Sequence, residues 1–391
     1  MKKYVVCGLG PSKLGVGRLV DSLIHLNKLH EFGYEFIYNP TPNLKNKVLE
    51  VLLKSSLLEK ALRIFHFRYS TLKISFKIRK IKDSKVLIIH PQSLGFNNFF
   101  KLIKNNICEI YIVDNSYFCL KSYNQFKNEF NACLRCLSSR TFVEASNCSP
   151  YPFPYSRNEN IKNLIKWTDE SNSISYLVQN QNQASLLMKH FGREVSIKVV
   201  GLYTTEFDNH PSMQILNDHE YDIVYHGSIL KAKGFLYFCS LIMNLKKFRI
   251  LIPFSPSIVK EQYKNIDSSI FSSENISFIN MTWESGLQQV IEKCKLVVCP
   301  SLWSAPIEGA IIKSILHNGC VAIYNAHYSF SNELPENIVV KLGENLDKSA
   351  AHIENILLNT ENRKILINKS KEWYKNYIIE SKNLGKGILS N

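Results

Sequence analysis

Short β-type runs alternating with helical stretches constrain this chain more than any other feature. The first half carries KKYVVCGL, YEFIYNP, KVLIIHP, CEIYIVDNS, ISYLVQN and SIKVVGLY; the second carries YDIVYHG, FRILIPF, ISFIN, KLVVCPS and CVAIYN. Between them lie segments of helical period, such as RLVDSLIHLNKLHEFG, closed by Gly33, and FNNFFKLIKNN. Parallel strands need a crossover of a dozen or more residues, so this alternation predicts α/β sheets covered by helices on both faces. At 391 residues the chain can build two such cores. The expected division is residues 1–204, a polar hinge at 205–220 containing Pro211, a second domain at 221–370, and a C-terminal helix at 371–391 packing back on the first domain. LKISFKIRKIK alternates apolar and basic residues and reads as a half-exposed strand.

Charge separates the halves. Of the net +15, residues 1–200 hold 29 Lys/Arg against 14 Asp/Glu, whereas residues 201–391 hold 19 against 19. An asymmetry of this kind points to an anionic partner for the first half, nucleic acid or membrane surface. Ten Lys/Arg fall within residues 54–85, where only Glu59 and Asp83 are acidic. There Leu57, Leu58, Ala61, Leu62 and Phe65 recur at helical spacing beside Lys54, Lys60, Arg63 and Arg68. A basic amphipathic helix suits an anionic bilayer surface, or it packs its apolar stripe on a core and leaves the cations in water. Nothing resembles an aromatic nucleic-acid platform, so the expectation is no nucleic-acid partner. No apolar run reaches the roughly 18 residues of a membrane span. Only a short strand follows Met1-Lys2-Lys3, so a cytoplasmic location is expected, peripheral on the inner face of the membrane if the basic helix docks there.

Reduced thiols follow from that location. Cys119, Cys133, Cys136 and Cys148 fall within thirty residues around a Cys-x-x-Cys, a spacing that suits a structural zinc; four reduced thiols are the competing reading. Cys7, Cys108, Cys294, Cys299 and Cys320 lie in or beside apolar segments and read as core.

Two stretches carry chemistry. In YHGSILKAKGFLYF, residues 225–238, glycines and lysines sit between a strand and a helix. A helix N-terminus with free N–H groups and a nearby lysine is a ready anion site, which makes Gly227, Ser228, Lys231 and Lys233 candidates for a diphosphate. The second stretch is CPSLWSAPIEGAIIKSILHNGCVAIYN, residues 299–325. Here the chain resembles the retaining GT-B glycosyltransferases of the group 1, or family-4, class. Pro300, Ser301, Trp303, Gly309, Gly319 and Val321 fit that pattern, Gly227, Lys233 and Gly234 fit its donor turn, and Gly15 and Gly17 in GPSKLGVGR fit its first glycine loop.

The resemblance implies two Rossmann-like doubly wound domains facing a cleft, a nucleotide-sugar donor, and a lipid-linked or surface-glycan acceptor in polysaccharide synthesis, with no catalytic cofactor. It places Ser301, Gly309 and Ser314 around the donor, Trp283 beside the base, and Glu308 on sugar hydroxyls. Departures are plain: the residue eight beyond Glu308 is Leu316 in place of a second glutamate, Ser314 stands where a ribose-binding glutamate is expected, and Ser228 replaces an arginine. Where the class has a histidine after a first-domain strand, this chain has Val113 and Asp114. Asp114 and the strand-end His90 are the catalytic candidates there, with Glu308 in the second domain. A nucleotide-sugar epimerase of the same fold and a non-enzymatic anion-binding or nucleic-acid-binding protein are the alternative readings.

Overall fold

The structure is a computed structural model and describes residues 1–12, 15–39, 56–126, 129–139, 141, 148, 155–204 and 220–390, the side chains of 56–63 excepted. The expected hinge at 205–220 lies, but for Glu220, outside the described residues, as do Lys13, Leu14 and Lys54. The chain divides into two compact units. One is Met1–Tyr123, Leu134–Thr205 and Ser381–Asn391; the other is Asn124–Cys133 and Glu206–Glu380.

In the first unit β1 (Lys3–Cys7), β2 (Tyr34–Tyr38), β3 (Lys85–Ile89), β4 (Ile107–Tyr111), β5 (Ile174–Val178) and β6 (Ser196–Val199) form a parallel sheet in the order β2-β1-β3-β4-β5-β6. Its β3 is buried along its whole length, as a strand covered on both faces must be. Leu19, Leu23 and Leu26 of the helix Gly15–His30 pack on Val5, Cys7, Leu87 and Ile89. The chain's end completes that layer: Ile388 and Leu389 are fully buried in it, and the Ser381 hydroxyl donates to the Leu202 carbonyl at 2.9 Å. The strand order reverses between β1 and β3, and ligands of such sheets bind beyond the carboxyl ends of the strands at that point. Gly8 and His90 stand there. A Cβ on Gly8 would lie 2.0 Å from the Ser93 carbonyl, so only glycine lets the β1 loop meet the β3 loop.

One expectation is corrected. LKISFKIRKIK forms no strand: its residues up to Ile78 end the helix Ser56–Ile78. Its alternation hid a period of four. Ile74 and Ile78 are buried while Leu72 and Phe76 between them are exposed, so successive apolar residues fall on opposite sides of a helix.

In the second unit β7 (Ile223–Tyr225), β8 (Ile250–Ile252), β9 (Ile276–Phe278), β10 (Leu296–Cys299), β11 (Val321–Tyr324) and β12 (Val340–Leu342) form another parallel sheet, ordered β12-β11-β10-β7-β8-β9. Alternate strand residues serve its two faces. Ile223 and Tyr225 meet Phe235, Phe238 and Leu241 of the helix Phe235–Ile242, whereas Val224 and Val297 meet Ile291, Ile311 and Ile315. This strand order reverses between β7 and β10, so its ligand position lies where His226-Gly227 and Pro300-Ser301 leave the sheet. Sequence reading missed β12, a strand of only three residues with a lysine, Lys341, at its centre.

Candidate active site

Tyr225, last residue of β7, shapes the turn that follows. Its buried hydroxyl donates to the Ser228 carbonyl at 2.8 Å and stands 3.2 Å from the Lys233 carbonyl, which ties both ends of the turn to the strand. Gly234 closes the turn with φ +75°, and a Cβ there would lie 1.8 Å from the Pro300 carbonyl oxygen. Turn and β10 loop therefore touch backbone to backbone, and the Leu302 N–H donates to the Ala232 carbonyl at 2.9 Å. The GxxxxxKG spacing is what this approach needs.

That contact brings three candidates together. The Lys233 ammonium pairs with Oε1 of Glu308, and the Ser301 hydroxyl donates to Oε2 of the same carboxylate at 2.9 Å. The pair is largely enclosed, with side-chain exposures of 18% for Lys233 and 11% for Glu308. Trp303, itself buried, lies beneath the ammonium, with Nζ 4.8 Å from the ring centroid. Glu308 directly precedes the helix Gly309–His317, yet makes no side-chain cap for it. Its carboxylate is turned to Lys233 and Ser301, which leaves the first N–H groups of the helix without a side-chain cap. A Cβ on Gly309 would meet nothing within 4 Å.

Other donor-side candidates fare differently. Ser228 is exposed, and Lys231 is exposed on a cavity of about 620 Å³ shared with Gln125, Phe130, Leu236, Tyr263 and Leu302. Ser314 is fully buried, its hydroxyl 2.8 Å from Nδ1 of His226 and 3.3 Å from Sγ of Cys299. Its hydroxyl thus links His226 of the β7 end to Cys299 of the β10 end inside the core. Trp283 stacks on the His226 ring, with centroids 5.3 Å apart and planes at 18°. It also meets His317 edge-on at 5.0 Å and has the Lys313 ammonium 4.7 Å from its centroid. Burial first, then the nearby Lys313 ammonium and His317 ring, lower the His226 pKa to about 3, so the His226 ring is neutral near pH 7. Sequence reasoning singled out Trp283 and His226 but not their stacking, nor Lys313 and His317 at i+4; that spacing was its available signal.

In the first unit the ends of β3 and β4 bring His90 and Asp114 together, with Nε2 of His90 3.6 Å from Oδ2 of Asp114. His90 is buried with φ +54°, a left-handed conformation rare for residues other than glycine and enriched at functional sites. Burial pulls its pKa below the usual value, and Asp114 opposes that shift. Oδ1 of Asp114 accepts the Ser116 N–H at 3.0 Å. Gly15 has φ +52° in an open position, and a Cβ on Gly17 would meet the Ser12 hydroxyl at 2.0 Å.

The four cysteines named for zinc, Cys119, Cys133, Cys136 and Cys148, are all half-buried free thiols. Among the described residues no group of three or more His, Cys, Asp or Glu is placed to hold a metal ion. Cys133 joins the second unit, its N–H bonded to the Asn124 carbonyl, while Cys119, Cys136 and Cys148 belong to the first.

No protein-family model matches the sequence, and no curated protein matches it. Solved structures do resemble it over nearly its full length. Sucrose-phosphate synthase from Thermosynechococcus elongatus aligns over 99% of this chain and 98% of its own, with 12% identity and a TM-score of 0.65. HepE of Anabaena, in complex with UDP-glucose, aligns over 100% of both chains, with 13% identity and a TM-score of 0.61. WaaG, a glycosyltransferase involved in lipopolysaccharide biosynthesis, aligns over 97% of this chain and 98% of its own, with 11% identity and a TM-score of 0.54. These likenesses establish the fold: the chain has the two-domain GT-B architecture of those proteins.

Proposed function

We propose that this protein is a glycosyltransferase that moves a sugar from a nucleotide-sugar donor to a lipid-linked or surface-glycan acceptor, with retention of anomeric configuration. The observation that carries the reading is the Lys233–Glu308–Ser301 group beside an uncapped helix terminus at the β7/β10 crossover. A nucleotide-sugar leaves as a diphosphate, and negative charge grows on it as the glycosidic bond breaks. Lys233 and the N-terminus of Gly309–His317 supply fixed positive charge at that place, the kind of preorganised electrostatics that dominates many enzyme rates. Exchange of Lys233 from carboxylate to diphosphate frees Glu308 to accept hydrogen bonds from sugar hydroxyls. The His226–Trp283 face is the flat surface for the base, and His90 with Asp114 is the first unit's own candidate for acceptor hydroxyls. HepE, solved with UDP-glucose, and WaaG, named for lipopolysaccharide biosynthesis, support the donor and acceptor classes by shared fold.

The reading extends to where the protein works. The helix Ser56–Ile78 exposes Phe65, Tyr69, Leu72 and Phe76 at 69%, 58%, 60% and 71% of their surfaces. Spacings of four, three and four align them as one stripe, with Arg68, Lys73, Lys77, Arg79 and Lys80 exposed around it. Such a face suits shallow insertion into an anionic bilayer, each nearby cation adding about 1 kcal/mol of attraction. Among the described residues no helix is long and apolar enough to cross a membrane.

Product analysis tests the function. Incubation with UDP- and GDP-sugars and an undecaprenyl-type lipid acceptor should yield nucleoside diphosphate and glycosylated acceptor. An altered sugar formed from donor alone would favour an epimerase, and no product with any donor would defeat the proposal.

A further inference from the structure

Residues Asn124–Cys133 belong to the second unit although the sequence on either side belongs to the first. Gln125 and Ala132 pair as an isolated antiparallel bridge near the two ends of this segment. Among the described residues, Phe130, Asn131 and Asn124 reach the rest of the second unit from it. Phe130 meets the ring of Tyr237 edge-on at 5.3 Å, and the Asn131 amide donates to Glu344 at 2.7 Å. Asn124, fully buried, makes the third contact, and it falls on the loop that holds the candidate site.

Asn124 grips Ser304 at two points. The Ser304 N–H donates to Oδ1 of Asn124 at 2.9 Å, and Nδ2 of Asn124 donates to the Ser304 hydroxyl at 3.0 Å. Nδ2 also donates to the Cys133 carbonyl at 3.1 Å, which ties the two ends of the segment together. Ser304 passes the connection on, its hydroxyl donating to the His327 carbonyl at 2.6 Å. One residue before it is Trp303, beneath the Lys233 ammonium; three before it is Ser301, on the Glu308 carboxylate. Trp303 packs with Ala232 of the donor turn and with Ala305. A buried amide satisfied on both its donor and acceptor sides fixes geometry, because any other loop position would leave polar groups without partners in a dry interior.

We infer that Asn124 is a positioning residue: it locks the 301–305 loop so that Trp303 and Ser301 hold Lys233 and Glu308 ready for the donor. It touches no ligand itself and acts through Ser304. This rests on the nucleotide-sugar reading of the Lys233 site.

The test is titration of the wild type, Asn124→Ala and Ser304→Ala with a panel of nucleotide-sugars, together with melting curves and acrylamide quenching of tryptophan fluorescence, Trp303→Phe serving to isolate the Trp303 signal. Expected are donor affinity weakened about tenfold in Asn124→Ala, a smaller loss of the same sign in Ser304→Ala, and less than additive loss in the double variant. The Trp303 signal should become more quenchable well below the melting temperature. If Asn124→Ala does not fold, Ser304→Ala alone decides the matter through affinity and quenching. Lowered melting temperatures with unchanged donor affinity and unchanged quenching would overturn the inference and leave Asn124 a purely structural residue. A wild type that binds no nucleotide-sugar would instead overturn the functional reading, and this inference with it.

Discussion

The Lys233 ammonium rests on the Glu308 carboxylate, and the Ser301 hydroxyl completes that carboxylate at 2.9 Å. The two residues that the sequence nominates for opposite tasks, anion binding and hydroxyl binding, thus hold each other in the free protein. A largely enclosed pair of this kind stores its charges at some desolvation cost, and loss of either partner leaves the other uncompensated.

Glu308→Gln should therefore lower the melting temperature while raising affinity for free UDP or GDP several-fold, since Lys233 loses its competing partner. The variant should also lose its preference for the nucleotide-sugar over the nucleoside diphosphate. Calorimetric titration with both ligands reads these effects. Unchanged UDP affinity would show that Lys233 does not exchange between carboxylate and phosphate.

Gly234 and Gly309 should respond in opposite ways to alanine. At Gly234 the positive φ and the 1.8 Å approach to Pro300 predict a loss of at least about 2 kcal/mol in denaturant unfolding. At Gly309 a Cβ meets nothing, so stability should hold or improve by about 0.5–1 kcal/mol from helix propensity. Donor affinity should nonetheless fall in Gly309→Ala, because the methyl group occupies the helix end where the diphosphate approaches. Equal donor affinity there would remove that helix end from the site.

The lowered pKa of His226 has a defined sign. Its folded value of about 3 lies below the ordinary 6.5, so between these values the unfolded chain binds a proton that the folded protein refuses. Stability from this group is complete above about pH 6.5 and drains away as pH falls towards 3, with a slope of up to about 1.4 kcal/mol per pH unit. His190, lowered to about 4 by burial, adds in the same direction. Melting temperatures from pH 7 to 4 should fall less steeply in His226→Gln than in the wild type. Parallel curves would contradict the assignment.

How much was legible follows from what each signal measures. Short, near-continuous apolar runs bounded by turns located nearly all the strands, because both sheets are parallel and bury most of their strands on both faces. LKISFKIRKIK misled because an alternation of two contains an alternation of four, and only packing reveals that Ile74 and Ile78 face inward while Leu72 and Phe76 do not. Lys233, Glu308 and Ser301 were nominated separately, yet nothing in the sequence says they touch. That depends on Gly234 meeting Pro300 across 66 residues of chain, a contact visible only in three dimensions. His90 and Asp114 converge for a similar reason, as ends of adjacent strands.

The exposed stripe on Ser56–Ile78 predicts binding to anionic vesicles. Sedimentation with phosphatidylglycerol liposomes should pellet the protein, less so as salt rises. Phe65→Ser with Phe76→Ser should weaken binding at all salt concentrations, whereas Lys73→Glu with Lys77→Glu should weaken it most at low salt. Equal recovery in the supernatant with and without anionic lipid would favour a soluble glycan acceptor.

Titration of a nucleotide-sugar panel onto the wild type and Lys233→Ala tests the central claim most directly. The account predicts that at least one UDP- or GDP-sugar binds the wild type and raises its melting temperature, and that Lys233→Ala weakens that binding tenfold or more while remaining folded by circular dichroism. Binding of equal strength in the two proteins, or no binding of any donor to the wild type, would contradict it.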